Sequence, residues 1–328
     1  MTNALLSIHE RLKSPDPEVR RIAVIDLPYN DEEDDIAPLL ATALGDEHPS
    51  VRLEAARALE GYEEPEVLAA LVPLLRDGDA EVREAVALTL GELKRPDSAT
   101  ALLPYLGDPA PDVKAAALRA VKALRVDEAF EPALTALRDA DATVRREAVG
   151  VLGYLRRPQA LGALTEVAAH DPDPEVRRVA VGVLGYAGEC TEISVHPALS
   201  RAMGDSAWQV REEAATTLGK LGSALGVNDL ISAMADEYWQ VRVKAARSLG
   251  KLKARAAVPA LADALLHPMS NLRKEAVIAL GETGDPRAIT PLEKALGDSD
   301  PDVRKLAKLA LTTIQMAGGA ASMPGGAA

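Results

Sequence analysis

Cys190 and His196 stand six residues apart in one irregular stretch, Gly188-Glu189-Cys190-Thr191-Glu192-Ile193-Ser194-Val195-His196. A thiol within reach of an imidazole is what a cysteine nucleophile requires, because the base must take the thiol proton. That pairing would need the loop to fold back on itself, and nothing around Cys190 would depress the thiol pKa, so an inert cysteine is the expectation. His170, Cys190, His196 and His267 share one half of the chain, yet no two have the short spacing that builds a zinc site. Neither a glycine loop that could cradle phosphate nor a Ser-His-Asp order is visible. The residues therefore predict no catalytic centre, no metal and no cofactor.

One basic column remains. Val19-Arg20, Val51-Arg52, Val82-Arg83, Val113-Lys114, Val144-Arg145, Val176-Arg177, Val210-Arg211, Val241-Arg242, Leu272-Arg273 and Val303-Arg304 recur every 31 to 34 residues. Ten cations at one structural position could line a phosphate stripe, but the chain has 50 acidic against 37 basic residues and a net charge of −13. That field repels nucleic acid and anionic membrane alike. An Asp stands five places before the Val at Asp46, Asp77, Asp108, Asp139, Asp171, Asp205, Asp236 and Asp298. A ladder of Asp–Arg pairs between successive repeats is the expected use of the column. The acidic run Asp31-Glu32-Glu33-Asp34-Asp35 reads as a solvated loop, with a docking patch for a basic partner as the alternative.

A fixed period of this length means stacked helical units. Asp16-Pro17-Glu18, Asp173-Pro174-Glu175 and Asp300-Pro301-Asp302 are helix starts, with Asp as the cap, Pro pre-set for the first turn and acid at the positive dipole end. Ala falls four places after the Val (Ala23, Ala55, Ala180, Ala276) and Leu eight places after it (Leu27, Leu59, Leu184, Leu280), which traces one face of a helix. Gly follows the Leu at Gly91, Gly153, Gly185, Gly219, Gly250 and Gly281, where it would either end the helix or let helices approach closely. A second helix precedes each Val, with apolar positions such as Leu40 and Leu44 or Leu71 and Leu75. The fold class is all-α, an α-solenoid of about ten helical hairpins in a right-handed superhelix, with one array over residues 1–316 and a disordered Gly/Ala-rich tail over 317–328. Aromatics make up only 3% of the chain, which suits many narrow helix seams. A single cysteine, no leader and no long apolar run point to a soluble, cytoplasmic protein.

Departures from the repeat mark the candidate surface. The longest spacing, 34, contains the Cys190 stretch, which reads as a lengthened turn between helices. Trp208 and Trp239 occupy equivalent helix-start positions one repeat apart, Tyr238 precedes the second, and His267-Pro268-Met269 replaces the Asp-rich start in the next unit. These aromatics either cover loops between repeats or anchor a partner. Positions thirteen and nine before the Val would face out from the second helices: Pro38 and Thr42, Thr100 and Pro104, Glu131 and Thr135, Pro197 and Arg201, Asn228 and Ser232, Thr290 and Lys294. The partner-binding residues expected are Trp208, Tyr238, Trp239, His196, Arg201, His267 and Met269.

Units such as Asp77-Gly78-Asp79-Ala80-Glu81-Val82-Arg83-Glu84-Ala85-Val86 with Leu90-Gly91 resemble HEAT repeats of the short bacterial type associated with phycobilisome lyases, over about residues 4 to 316. The resemblance implies protein binding by a scaffold, adaptor or assembly factor. For some members it implies bilin attachment or removal, di-iron hydroxylation or base excision instead. The di-iron enzymes carry His-Glu after the Val-Arg, where this chain has Leu53-Glu54, Arg146-Glu147, Glu212-Glu213 and Lys274-Glu275; its one His-Glu pair, His9-Glu10, is out of register. The expectation is a non-catalytic module that binds a protein partner, with a lyase-like or metal-dependent modifying enzyme as the alternative, and pairing with a second copy as a further use of the surface.

Overall fold

The computed structural model describes residues 7–29, 36–186 and 192–321. Every regular element among the described residues is an α- or 3₁₀-helix, and none of them is a strand. The acidic run 31–35, Cys190 and residues 322–328 lie outside the described residues. By its internal contacts the chain divides into two compact units, Met1–Leu155 and Arg156–Ala328.

The first unit alternates the long helices Pro17–Asp26, Pro49–Ala58, Ala80–Gly91, Pro111–Leu124 and Ala142–Leu155 with the shorter Ala37–Ala43, Pro65–Leu71, Ala99–Leu102 and Phe130–Ala136. In the second unit the long helices are Pro174–Leu184, Trp208–Leu221, Trp239–Lys251, Ser270–Thr283 and Pro301–Ala321. The shorter ones there are Leu161–His170, Glu192–Ala202, Val227–Ala233, Val258–Ala264 and Ile289–Ala295. Within each unit every long helix packs along the next, and the short elements pack against the long helices. The last helix runs to Ala321, past residue 316, where composition alone had placed its end.

Burial follows the offsets read from the sequence. Ala23, Ala55, Ala117, Ala148, Ala180, Ala214, Ala245, Ala276 and Ala307 are fully buried, as are Leu27, Leu59, Leu90, Leu184, Leu249 and Leu280. A small residue at the fourth place keeps successive long helices close, while Leu at the eighth fills the space between the layers. Glycine after the Leu serves the first of these purposes at Gly219, Gly250 and Gly281, whereas Gly91 and Gly185 stand at helix ends. Gly219, Gly250 and Gly281 lie inside helices, and a Cβ on Gly281 would sit 2.8 Å from the Cβ and 3.0 Å from the Cα of Ala310 on the next long helix. The helix ends three residues later at Gly284, whose φ of +61° is the left-handed conformation that glycine adopts without strain.

The basic column and the Asp column meet as the spacing predicts at Arg20, Arg52, Lys114, Arg177, Arg211 and Arg273. Arg20, Arg52, Arg177, Arg211 and Arg273 each donate Nε to the ladder Asp of the following repeat, at 2.7, 2.7, 2.7, 2.6 and 2.8 Å. Lys114 pairs with Asp139 in the same way. Each ladder Asp also accepts the backbone amide two residues on, as Asp205 does from Ala207 and Asp236 from Tyr238 at 2.8 Å. The guanidinium reaches back too: Arg211 Nη1 donates to the carbonyl of Asp205 at 2.8 Å. One arginine therefore fixes the helix-start turns of two repeats relative to each other. Hydrogen bonding to Asp236 raises the Arg211 pKa against the cost of burial. On the partner, burial pushes the Asp236 carboxyl up, but the guanidinium and the Tyr238 amide hold it below the ordinary range.

Candidate interaction surface

All twelve second-helix positions expected to face solvent are exposed, from Pro38 and Thr42 in the first unit to Thr290 and Lys294 in the second. Along these short helices the buried positions are apolar throughout, as in Leu230 and Ala233 or Leu261 and Ala264. Thr42, Thr135 and Ser232 return their hydroxyls to the carbonyl four residues back, which satisfies them within their own helix. At these three positions a partner can bind without breaking a bond to another element.

The aromatic residues of the second unit form a stack with one partner from each of two repeats. Trp208 opens the helix Trp208–Leu221 and lies half-buried, its ring 5.5 Å from that of Tyr238 with an interplanar angle of 13°. The Arg211 guanidinium lies 5.5 Å from the Tyr238 centroid, so the ladder cation also holds the aromatic. Tyr238 keeps 39% of its surface exposed. Trp239, half-buried, opens the next long helix. One repeat on, His267 takes over one role of the missing Asp: its Nδ1 accepts the Met269 amide at 3.1 Å, while Arg242 donates to the carbonyl of Asp236, and Met269 is exposed.

His196 and Arg201 lie on a different element, the helix Glu192–Ala202. The second half of the stretch read as a lengthened turn belongs to this 11-residue helix, while residues 187–191, including Cys190, lie outside the described residues. His196 Nε2 stands 3.5 Å from Asp229 Oδ2 on the next short helix. Arg201 Nη1 lies 3.3 Å from His170 Nε2 on the preceding one. The seven expected residues thus fall into two groups, five at the starts of long helices and two on a short helix.

The glutamates at the positions where di-iron enzymes place His-Glu are taken up by cations. Glu147 accepts from Arg119 at 3.2 Å and lies 3.3 Å from the Lys122 ammonium. Glu275 takes both Nε and Nη2 of Arg247 at 2.9 and 2.7 Å. Glu213 sits 3.7 Å from both Arg178 and Lys220. Among the described residues no three His, Cys, Asp or Glu side chains converge as metal ligands. These carboxylates stitch neighbouring long helices together.

One break in the ladder escaped the sequence reading. Asp108, with 1% of its side chain exposed, pairs with Arg76 from the end of the preceding short element, whose Nε donates at 2.8 Å. Arg83, the partner expected from the column, donates to the carbonyls of Asp77 and Gly78 at 2.7 and 3.3 Å and reaches Asp112 only at 3.6 Å. The signal was present in Arg76 itself, a basic residue six places before the Val, and in Pro73 and Pro104, each nine places before it in adjacent repeats.

A sequence model described as HEAT repeats matches residues 5–85, 36–122, 130–193, 163–227 and 227–312. The chain is a HEAT-repeat protein. Among solved structures this HEAT-repeat chain is similar to an engineered protein, at 22% identity over 96% of this chain and 99% of that one with a TM-score of 0.53. It is also similar to a chain of the complex of Kap95p with RanGDP, at 14% identity over 96% of this chain and 50% of that one with a TM-score of 0.66. The E. coli protein YibA matches at 19% identity over 92% and 97% of the two chains, with a TM-score of 0.53. These likenesses show a shared all-α solenoid fold. No curated protein sequence matches the HEAT-repeat chain. Among its described residues no helix is long and apolar enough to cross a membrane.

Proposed function

We propose that this HEAT-repeat protein is a non-catalytic binding scaffold, an adaptor or assembly factor in the cytoplasm, that holds a protein partner on the outward face of its short helices and on the ridge from Trp208 to Met269. The observation that carries this reading is the contrast between the two faces of the short helices. Their inward positions repeat Leu and Ala, whereas the outward ones, all exposed, run through Pro, Thr, Glu, Asn, Ser, Arg and Lys. A surface free of structural duty can be fitted to a partner position by position. Trp208, Tyr238 and Met269 supply the apolar anchors that such interfaces use. The unbroken spacing of the Val-Arg pairs across residue 155 supports treating residues 1–316 as one array. The net charge of −13 favours basic protein partners over nucleic acid or anionic membrane.

Capture from native cell extract on the immobilised chain, read by mass spectrometry, tests this reading. The expected result is one enriched protein whose recovery falls when Trp208→Ala and Trp239→Ala are combined. Recovery of no specific protein, together with a bound pigment or metal in the purified chain, would overturn it in favour of an enzyme.

A further inference from the structure

In repeats three and four the short helices are interrupted by proline. Pro73 and Pro104 occupy the same register, and in both repeats the α-helix stops early, at Leu71 and Leu102, and continues as the 3₁₀ segments Val72–Arg76 and Leu103–Gly107. Proline lacks the amide an α-helix would need there, and a 3₁₀ segment is thinner and longer per residue. Between the short elements of these two repeats, along residues 63–73 and 95–105, lies a groove of about 480 Å³. Buried Leu68 and Val72 line it, as do the exposed Pro65, Ala69 and Pro73, spaced four residues apart along one wall. Tyr105 stands on the opposite wall with the Arg76 guanidinium 5.1 Å from its ring centroid. Arg76 is in turn neutralised by Asp108, so its charge is not available to a ligand.

The other end of the groove is acidic. Glu63 accepts the amides of Lys94 and Arg95, both at 2.9 Å, and the Ser98 hydroxyl at 2.6 Å. These bonds, working against burial, hold its carboxyl below the usual glutamate range, so it is ionised at neutral pH. Asp97 also lines the groove and is exposed, and Glu64 and Glu66 are exposed on the chain that enters it. Arg95 offsets one of these charges.

We infer that this groove binds a segment of a partner protein in which aliphatic side chains alternate with Lys or Arg, the apolar groups seated between Pro65, Ala69, Pro73 and Tyr105 and the cations directed at Glu63 and Asp97. The volume is that of a ligand site, and the lining is mainly apolar with a few polar groups gathered at one end. The charge at that end and over the whole chain selects a basic segment. The inference rests on the scaffold reading and gives it one site and one partner chemistry.

The test is fluorescence anisotropy of the full chain with a short fluorescein-labelled peptide of Leu and Lys, beside peptides with Ser in place of Leu and Glu in place of Lys. The expected result is binding of the Leu/Lys peptide, weakened at least about tenfold by either replacement. Ala69→Gln combined with Thr100→Gln fills the groove from two exposed positions without adding charge and should weaken binding by a similar factor. Asp97→Lys should weaken it further, while Thr312→Ala, on the exposed face of the last long helix, leaves it unchanged. Circular dichroism of each variant should show the helix content and Tm of the parent. No binding by the parent chain, equal binding of the Glu peptide, or full binding by the filled variant would overturn the inference. If the filled variant still captures the extract partner, the groove assignment alone falls; if the peptide binds as expected but no form captures any extract protein, the scaffold reading alone falls.

Discussion

Arg211 and Asp236 lie in successive repeats and share two hydrogen bonds, Nε to Oδ2 at 2.6 Å and Nη2 to Oδ1 at 3.0 Å, with both side chains about nine-tenths buried. Because the third guanidinium nitrogen holds the carbonyl of Asp205, the pair sets the register between two helix-start turns. Removing Asp236 leaves a buried guanidinium without its charge partner and the Tyr238 amide without its acceptor. Asp236→Ala should therefore cost about 3 kcal/mol, read as a lower urea midpoint. Arg211→Lys should also destabilise, since a single ammonium cannot make the fork and the carbonyl contact together.

The same ladder fixes how stability depends on pH. Asp46, Asp77, Asp139, Asp205, Asp236 and Asp298 all have carboxyl groups held below the ordinary value of 3.8. A depressed folded value means the unfolded chain binds protons first as the solution is acidified. The ladder's contribution is therefore complete well above pH 3.8, starts to fade at about pH 5 as the unfolded carboxylates begin to protonate, and is gone once the pH is below the lower folded values. Tm should stay level from neutral pH to about 5 and then fall steeply, and the fall should be shallower in Asp236→Asn, which has one fewer group to protonate. An unchanged slope in that variant would remove the ladder from the account of acid unfolding.

The break in the ladder gives a prediction that contrasts two arginines. Arg52 and Arg83 hold equivalent places in adjacent repeats, but Arg52 takes both oxygens of Asp77 while Asp108 belongs to Arg76. Arg76→Ala strands a carboxylate that is 1% exposed and should cost about 3 kcal/mol, although Arg76 is itself largely exposed. Arg83→Ala should cost only about 1 kcal/mol, the loss of its carbonyl bonds. From the repeat pattern alone one would expect the opposite order. Urea unfolding of the two variants beside Arg52→Ala decides between them.

The repeat, the buried columns and the ladder were legible in the sequence because each depends on residues at fixed offsets within one helix or between equivalent helices. Ala180 and Leu184 are buried for the same reason as Ala276 and Leu280, so one unit read correctly predicts the rest. The Arg76 substitution was not legible, because it depends on where a proline-broken short helix lets its last side chain point. The Trp208–Tyr238 stack was half legible: the spacing showed that both tryptophans start helices, but which rings meet depends on the turn in three dimensions. The glycine after the Leu was legible only as a choice between a helix stop and a close approach; both occur, with Gly91 and Gly185 at helix ends and Gly281 packed on Ala310.

That contact can be tested by exchange. Gly281→Ala places a methyl 2.8 Å from the Cβ of Ala310, closer than carbon atoms pack, and the adjoining Cα at 3.0 Å leaves no side chain that could swing away. Relief requires the two long helices to part, so the substitution should cost about 2 kcal/mol even though Ala is the better helix former. Ala310→Gly alone should cost about 1 kcal/mol through helix propensity. Combined, the closer of the two contacts disappears and the propensity terms nearly cancel, but the Ala310 Cα still lies 3.0 Å from the new methyl, so the double variant should recover most of the loss and unfold within about 1 kcal/mol of the parent.

A final pair of hydroxyls separates a satisfied from an unsatisfied position at the same place in the repeat. Ser248, seven residues after Val241, donates to the carbonyl of Ala215 on the preceding long helix at 2.7 Å, just as Thr89 donates to Ala56 at 2.9 Å. Thr217 holds that place in the repeat just before that of Ser248, fully buried, and its hydroxyl has no hydrogen-bond partner. A buried hydroxyl that has lost water without gaining an acceptor destabilises the fold, whereas a bonded one repays its burial. Thr217→Val keeps the shape and removes the orphan, so it should raise stability by about 1 kcal/mol. Ser248→Ala, by contrast, should lower it by about 1 kcal/mol through the lost bond. Opposite signs in paired thermal melts are the expected outcome; a loss of stability in Thr217→Val would mean that the hydroxyl finds an acceptor after all, with the Val181 carbonyl, the counterpart of Ala215 one repeat earlier, as the first to examine.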